Sequence, residues 1–126
     1  MVGLIDTSVF VGVESRDLDY DRLPEQVAVS VVTLAELRLG VLLAQDVTVR
    51  QRRMSSWQLA SGLEPLSIDH AVADEWARII AELRQQDKRA PVNDVWIAAT
   101  AIRHSMTVIT QDADYEAIPG LEVVRV

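Results

Sequence analysis

The stretch Val2-Gly3-Leu4-Ile5-Asp6-Thr7-Ser8 determines how the rest of this chain is interpreted. Its first four residues are apolar or Gly without a break, which is typical of a strand buried on both faces of a parallel sheet. Asp6 ends the run, and a carboxylate at the edge of a core is costly unless another group offsets its charge. The stretch therefore predicts a buried strand that delivers an acid to one edge of a sheet.

Three further acids stand in comparable settings. Glu36 interrupts an apolar helix predicted for 31–44, Asp94 opens another apolar helix, and Asp112 follows a strand predicted for 106–110. In parallel α/β sheets, ligands bind beyond the carboxyl ends of the strands, so all four acids can face one edge. Carboxylates gathered in this way predict a shared divalent cation, and such a cation points to phosphate chemistry.

Short apolar strands alternate with helices along the whole chain. The sequence predicts strands at 2–6, 27–29, 106–110 and 121–126, a brief strand at 63–68, and helices at 9–13, 31–44, 48–61, after an Asp69 cap and after an Asn93 cap. This alternation favours a mostly parallel sheet covered by helices on both faces. We therefore expect a single α/β domain of three layers over residues 1–126.

Composition limits the function further. The net charge of −7 weighs against a nucleic-acid binder, but setting four acids aside for a cation leaves 15 acids against 12 bases. Lys88 and Arg89 precede Asp94 and are placed to contact a phosphate. The lack of Cys excludes thiolate sites. No apolar run is long enough to cross a bilayer, and no basic region precedes the first apolar stretch, so we expect a cytoplasmic protein without a signal peptide.

Each acid also has a simpler interpretation. Asp6 and Asp112 could cap the turns that follow them, and Asp94 could favour a helix N-terminus through the dipole. Thr33-x-x-Glu36 matches a capping box. Capping does not predict that all four acids follow core segments at one edge, and the joint pattern therefore favours a cation site. Asp114 is a fifth acid that either faces solvent or helps to bind a second cation.

Four motifs, in this order, resemble those of PIN-domain ribonucleases and, more closely, VapC-type toxins of bacterial toxin–antitoxin pairs. They are Leu4-Ile5-Asp6-Thr7-Ser8, Thr33-Leu34-Ala35-Glu36-Leu37 followed by Gly40, Asn93-Asp94-Val95-Trp96-Ile97-Ala98-Ala99, and Val108-Ile109-Thr110-Gln111-Asp112-Ala113-Asp114-Tyr115. The similarity spans essentially the whole chain and does not depart from the family at the acidic positions.

This resemblance implies a PIN-like fold and a metal-dependent endoribonuclease. Asp6, Glu36, Asp94 and Asp112 would bind Mg²⁺ or Mn²⁺ and carry catalysis. Thr7, Ser8, Thr110 and Asn93 would orient the carboxylates or metal-bound water. Asn93 could instead simply cap its helix. The expected substrate is structured RNA such as tRNA or rRNA, the expected partner is a VapB-type antitoxin, and the expected assemblies are a homodimer and a toxin–antitoxin hetero-oligomer.

Two other classes of function remain open at this point. A receiver-like phospho-signalling domain would need an acidic pair at the first strand and a Lys near the last strands, but Asp6 has no acidic neighbour and Lys88 is the only Lys. A non-catalytic PIN scaffold would bind RNA or protein only, and the intact acids weigh against it. In either case, the apolar helix predicted for 31–44 requires a buried position or a partner surface.

Overall fold

The computed structural model describes all residues, 1–126. Its strands are β1 (Val2–Ile5), β2 (Gln26–Ala28), β3 (Thr107–Thr110) and β4 (Val123–Arg125), and its helices are α1 (Thr7–Ser15), α2 (Val31–Leu43), α3 (Val47–Ser61), α4 (His70–Gln85) and α5 (Val92–Arg103). Short 3-10 helices occupy Tyr20–Arg22 and Ala113–Ala117. No helix has the length and apolar character required to span a membrane.

The four strands form one sheet in the order β2-β1-β3-β4, and every pairing is parallel. Successive side chains of a strand point to opposite faces, and the core is divided accordingly. Leu4 and Val108 pack with α4 and α5 in one apolar cluster. Ile5 and Ile109 pack with α1, α2 and α3 in a second cluster on the other face. The predicted three-layer α/β architecture with a parallel sheet is thus confirmed.

Three local predictions were wrong. No strand covers 63–68, where only Leu66 pairs with the chain, through an isolated bridge to Ser30. Ser30, rather than Thr33, is the N-cap of α2, so the capping-box interpretation of Glu36 fails because Glu36 lies in the second turn. Helix α5 begins at Val92 after Pro91 and has no side-chain cap, so Asn93 lies inside the helix and does not cap it.

Close packing at Gly3 gives a prediction about stability. A Cβ at this position would lie 2.6 Å from both Ile109 Cγ1 and Pro24 Cγ. We expect Gly3→Ala to lower the free energy of unfolding by about 1–3 kcal/mol, as overpacking of a core typically does. Urea unfolding monitored by circular dichroism measures this change.

Gly40 in α2 provides the matched control. Its added Cβ would meet only the Arg53 side chain, at 3.5 Å from Cδ and 3.9 Å from Nε, and Ala is favoured over Gly inside a helix by about 1 kcal/mol. Gly40→Ala should therefore be neutral or stabilising. Equal effects of the two substitutions would show that the approach of Gly3 to Ile109 does not limit stability.

Candidate active site

The backbone brings the predicted acids to the carboxyl edge of the sheet. Asp6 follows β1 and is the N-cap of α1, while Asp112 follows β3 and is the N-cap of the 3-10 helix Ala113–Ala117. Asp94 lies in the first turn of α5. These positions arise because each acid sits where an apolar strand ends or a helix begins, so the core segments set their placement.

Asp6 is the most tightly held of the acids, with 4% of its surface exposed. Its Oδ2 accepts hydrogen bonds from Ser8 Oγ at 2.7 Å and from Thr110 Oγ1 at 2.9 Å, and its Oδ1 accepts one from the Tyr115 hydroxyl at 2.8 Å. Because each carboxylate oxygen has two acceptor positions, one position on Oδ1 remains for a cation. Ser8 and Thr110 are therefore in direct contact with Asp6.

The same hydroxyls tie the loop after β3 to Asp6. The amide N–H of Gln111 donates to Ser8 Oγ at 2.9 Å, and the amide N–H of Asp112 donates to Thr110 Oγ1 at 2.9 Å. Asp112 Oδ1 in turn accepts from the amide N–H of Asp114 at 2.9 Å. The partly buried bond between Gln111 and Ser8 thus fixes the loop after β3 relative to the segment that follows β1.

Glu36 is held from the other side of the site by a hydroxyl pair. Thr7 Oγ1 donates to Glu36 Oε1 at 2.7 Å and lies 3.2 Å from Thr33 Oγ1. Thr33 is fully buried. Thr7 thus contacts Glu36, whereas Ser8 and Thr110 contact Asp6.

Asp94 stands at the electrostatic centre of the group. Burial, the largest cause, and the negative charges of Asp6, Asp112 and Glu36 together raise its pKa to about 7, while the Tyr115 hydroxyl acts in the opposite direction. Its Oδ2 is buried and has no hydrogen-bond partner. A carboxylate in this position is unsatisfied in the protein alone, and a divalent cation bound among the acids would satisfy it.

A set of ligand oxygens is close enough for one ion. Carboxylate oxygens of Asp94, Asp112 and Asp114 all lie within 4.8 Å of one another. Asp114 is exposed, and its carboxylate nevertheless lies within this group. An all-oxygen set of this kind fits Mg²⁺ or Mn²⁺. Asn93, by contrast, is exposed on the surface of α5.

Tyr115 contacts the acids through its hydroxyl, which the sequence analysis did not predict. It is fully buried, and burial together with the charges of Asp6 and Asp94 raises the pKa of its phenol far above the ordinary value. The phenol therefore stays protonated and remains a donor to Asp6. The only sequence signal was its position three residues after Asp112, where a Tyr is more often a core residue.

Tyr115→Phe tests this contact. We expect about tenfold weaker Mn²⁺ binding, the scale typical for loss of a group that orients a metal ligand, and about 1 kcal/mol lower stability. Isothermal titration with Mn²⁺ measures the first quantity. Tyr20→Phe, at an exposed tyrosine, is the control, and an unchanged Mn²⁺ affinity in Tyr115→Phe would show that the phenol only fills space.

Comparisons with known proteins identify what the chain is similar to. The PIN domain family model matches residues 3–121. Ribonuclease VapC4 of Mycobacterium tuberculosis is 50% identical over 124 residues, which cover 98% of this chain and 95% of that protein. Ribonuclease VapC5 of the same organism is 43% identical over 128 residues, with the same coverage.

A solved structure agrees with this relationship. It is the crystal structure of VapBC-5 from Mycobacterium tuberculosis, a member of the VapBC family of toxin–antitoxin systems. The match has a TM-score of 0.91 and 41% sequence identity, and it covers 99% of this chain and 98% of the other. The fold thus recurs in a protein of nearly the same length.

Proposed function

The chain belongs to the PIN-domain family, and from this premise we propose that it is a VapC-type ribonuclease toxin whose activity requires Mg²⁺ or Mn²⁺. Residues 1–126 would act as one PIN domain, in the cytoplasm, where its RNA substrate is found. The names of the similar ribonucleases support the activity. The observation that carries the metal requirement is Asp94, whose Oδ2 is buried without a partner and whose pKa is raised to about 7 among other acids.

The residues divide the work of phosphodiester hydrolysis among them. We assign catalysis and metal binding to Asp6, Glu36, Asp94 and Asp112, with Asp114 as an additional ligand. A bound cation would lower the pKa of a water molecule and neutralise negative charge on the phosphate. Ser8 and Thr110 hold Asp6, and Thr7 holds Glu36, so the carboxylates keep their positions without reorganisation during the reaction. Asn93 is kept as a supporting residue that could contact water or substrate.

The products of this chemistry can be stated. Cleavage through the ribose 2′-hydroxyl usually requires a pair of acid–base side chains, for which His is the common choice. His70 and His104 are both exposed, at the first residue of α4 and just after α5. We therefore propose attack by water, which leaves a 5′-phosphate and a 3′-hydroxyl. A 2′,3′-cyclic phosphate among the products would contradict this route.

A basic depression marks where structured RNA, such as tRNA or rRNA, would approach. Lys88 and Arg89 lie in the loop that leads into α5. Together with Arg84 of α4, they line an open depression of about 440 Å³. Asp94 lies in the first turn of that helix. We propose that these side chains contact RNA phosphates beside the carboxylates, which offsets the repulsion between an acidic protein and its substrate.

Cleavage of purified total RNA tests the proposed activity. The reaction is run with Mg²⁺, with Mn²⁺ and with EDTA, and the ends of the fragments are mapped. We expect discrete fragments that depend on the cation. Intact RNA after incubation with folded protein free of any copurified partner would favour the binding-only alternative.

An exposed apolar surface supports protein partners. At the end of α2 and the start of α3, four large apolar side chains are more than half exposed: Leu39, Leu42, Leu43 and Val47. The predicted apolar helix is therefore only partly buried by this chain, which leaves a surface for protein contact. We propose that a VapB-type antitoxin or a second copy of the chain covers it, in a homodimer and a toxin–antitoxin hetero-oligomer.

Antitoxin binding gives a test of charge. The carboxylate group would accept an Arg side chain from the antitoxin, in a charge-assisted hydrogen bond. We expect the inhibition constant of the cognate antitoxin to weaken as salt is raised, because exposed charge contacts are screened. An antitoxin with neutral replacements of its basic tail residues is the control. Inhibition equally strong at low and high salt would contradict this arrangement.

A further inference from the structure

A second depression lies at the same edge of the sheet as the carboxylates. It has a volume of about 740 Å³ and is lined by Asp17, Arg22, Gln111, Arg125 and Val126. Arg125 ends β4 and Gln111 follows β3, so the depression sits beyond the carboxyl ends of these two strands. In parallel sheets this edge is where ligands bind. None of the acids assigned above lines this depression.

The depression is physically joined to the carboxylate group. The backbone carbonyl of Gln111 accepts a hydrogen bond from Arg125 Nη2 at 3.3 Å, and the next residue is Asp112. The amide N–H of Gln111 donates to Ser8 Oγ, which in turn donates to Asp6. A guanidinium is thereby held one residue away from the acids, on a loop that partly buried hydrogen bonds fix in position.

The charges in the depression are incompletely paired. Arg22 forms no ion pair, and neither does Asp17. Arg125 lies 3.7 Å from Glu116, and both of these side chains are more than half exposed, so the contact holds little of the guanidinium charge. Two guanidinium groups beside an acidic site offer a phosphate the forked donors that it binds best.

The presence of Asp17 indicates a ligand with hydrogen-bond donors, and not a simple anion. Its carboxylate lines the same depression as the two arginines and would repel a free phosphate. A nucleotide of RNA, however, carries donors beside its phosphate, namely the ribose 2′-hydroxyl and the amino groups of the bases. The combination of two arginines and one carboxylate therefore matches a nucleotide better than it matches an inorganic ion.

We propose that this depression is a nucleotide subsite that binds the RNA strand next to the bond being cut. Arg22 and Arg125 would contact the backbone phosphate, and Asp17 would accept a hydrogen bond from the sugar or the base. This inference rests on the proposed function. The subsite belongs to the face of the sheet covered by α1, whereas Lys88 and Arg89 adjoin α4 and α5 on the other face. The strand would thus be held on both sides of the carboxylates.

Arg22→Gln and Arg125→Gln test the phosphate contacts. Binding of a short fluorescein-labelled single-stranded RNA is measured by anisotropy over a range of salt, in the Asp94→Asn background with Mg²⁺ so that the RNA stays intact. We expect each variant to bind about three- to fivefold more weakly and to reduce the slope of log K against log salt by about 0.7. In the otherwise wild-type protein, KM should rise with little change in kcat.

Arg103→Gln is the matched control, because it removes the same charge from an exposed residue at the far end of α5. That residue lies about 14 Å along the helix from Asp94. Arg22→Gln removes no ion pair, so it remains informative even if Arg125→Gln disturbs the loop. If both arginine variants match Arg103→Gln while the wild type cleaves RNA, the subsite is excluded and the proposed function stands. If the wild type fails to cleave but binds RNA through both arginines, the subsite stands and the proposed activity fails.

Asp17→Asn decides between a nucleotide and a simple anion through the sign of its effect. If Asp17 only repels phosphate, the substitution strengthens RNA binding, and the assignment of a nucleotide is overturned. If Asp17 accepts a hydrogen bond from the nucleotide, RNA binding weakens about threefold. Loss of antitoxin affinity in the arginine variants, with unchanged RNA binding, would instead assign the depression to the protein partner and overturn the proposal.

Discussion

Asp94→Asn is expected to reduce cation-dependent RNA cleavage by at least about 100-fold, since even the loss of a group that only orients a metal ligand costs up to this much. The same substitution should stabilise the metal-free protein at pH 8. Asp94 is the acid on which burial and the charges of its neighbours converge. An amide of the same shape removes one charge from this group and can donate a hydrogen bond to a neighbouring carboxylate.

The pH dependence of stability follows from the same residue. The pKa of Asp94 is raised to about 7 in the folded protein from the ordinary value of 3.8. Between these two values the folded state binds more protons than the unfolded state, so stability falls as pH rises. Above pH 7 the full cost is present, about 1–2 kcal/mol once solvent screening of this half-buried group is discounted. A bound cation should remove most of this dependence.

Urea unfolding at pH 5 and pH 8, with and without Mg²⁺, measures these effects. Asp94→Asn should abolish most of the difference between the two pH values in the metal-free protein. Asp74→Asn, which removes an exposed acid from α4, is the control and should leave the difference intact. Equal pH dependence in the wild type and Asp94→Asn would show that Asp94 is not the group that titrates, and it would weaken the case for the cation.

The strands and the edge that gathers the acids could be predicted because local pattern determines both. A continuous apolar run such as Val2–Ile5 indicates a buried parallel strand, and the residue that follows it must lie at the carboxyl edge. Asp69 likewise caps α4 as predicted, with its side chain accepting from the amide N–H of Val72. In these cases the structural cause lies within a few residues of the effect.

The features that were missed depend on contacts between distant parts of the chain. Tyr115 is separated from Asp6 by 109 residues, and its apolar character in sequence resembles that of any core residue. Residues 63–68 contain enough apolar side chains to suggest a strand. In the structure β2 is the edge strand of the sheet, and Leu66 alone forms an isolated bridge to Ser30. Thr33 was an alternative cap because Thr33-x-x-Glu36 matches a capping box, and only the backbone shows that Ser30 is the N-cap of α2.

Asp6→Ala should have the opposite effect on stability from Asp94→Asn, although both should abolish cleavage. Asp6 is the acceptor for three buried or partly buried hydroxyl donors, those of Ser8, Thr110 and Tyr115. Removing a shared acceptor leaves donors unsatisfied, at about 1–3 kcal/mol for each. Because Ser8 Oγ and Thr110 Oγ1 are 3.1 Å apart and can pair with each other, we expect a net loss of about 3–5 kcal/mol rather than the full sum.

Urea unfolding of the metal-free protein measures this loss. The decisive comparison is between the free energies of unfolding of Asp6→Ala and Asp94→Asn. Asp6→Asn is the matched variant, because its amide keeps one acceptor oxygen for the hydroxyls while removing the charge. It should recover most of the stability without recovering cleavage. If Asp6→Ala were as stable as the wild type, the hydroxyls would be satisfied without Asp6, and the network around β1 and β3 would not be what positions the acids.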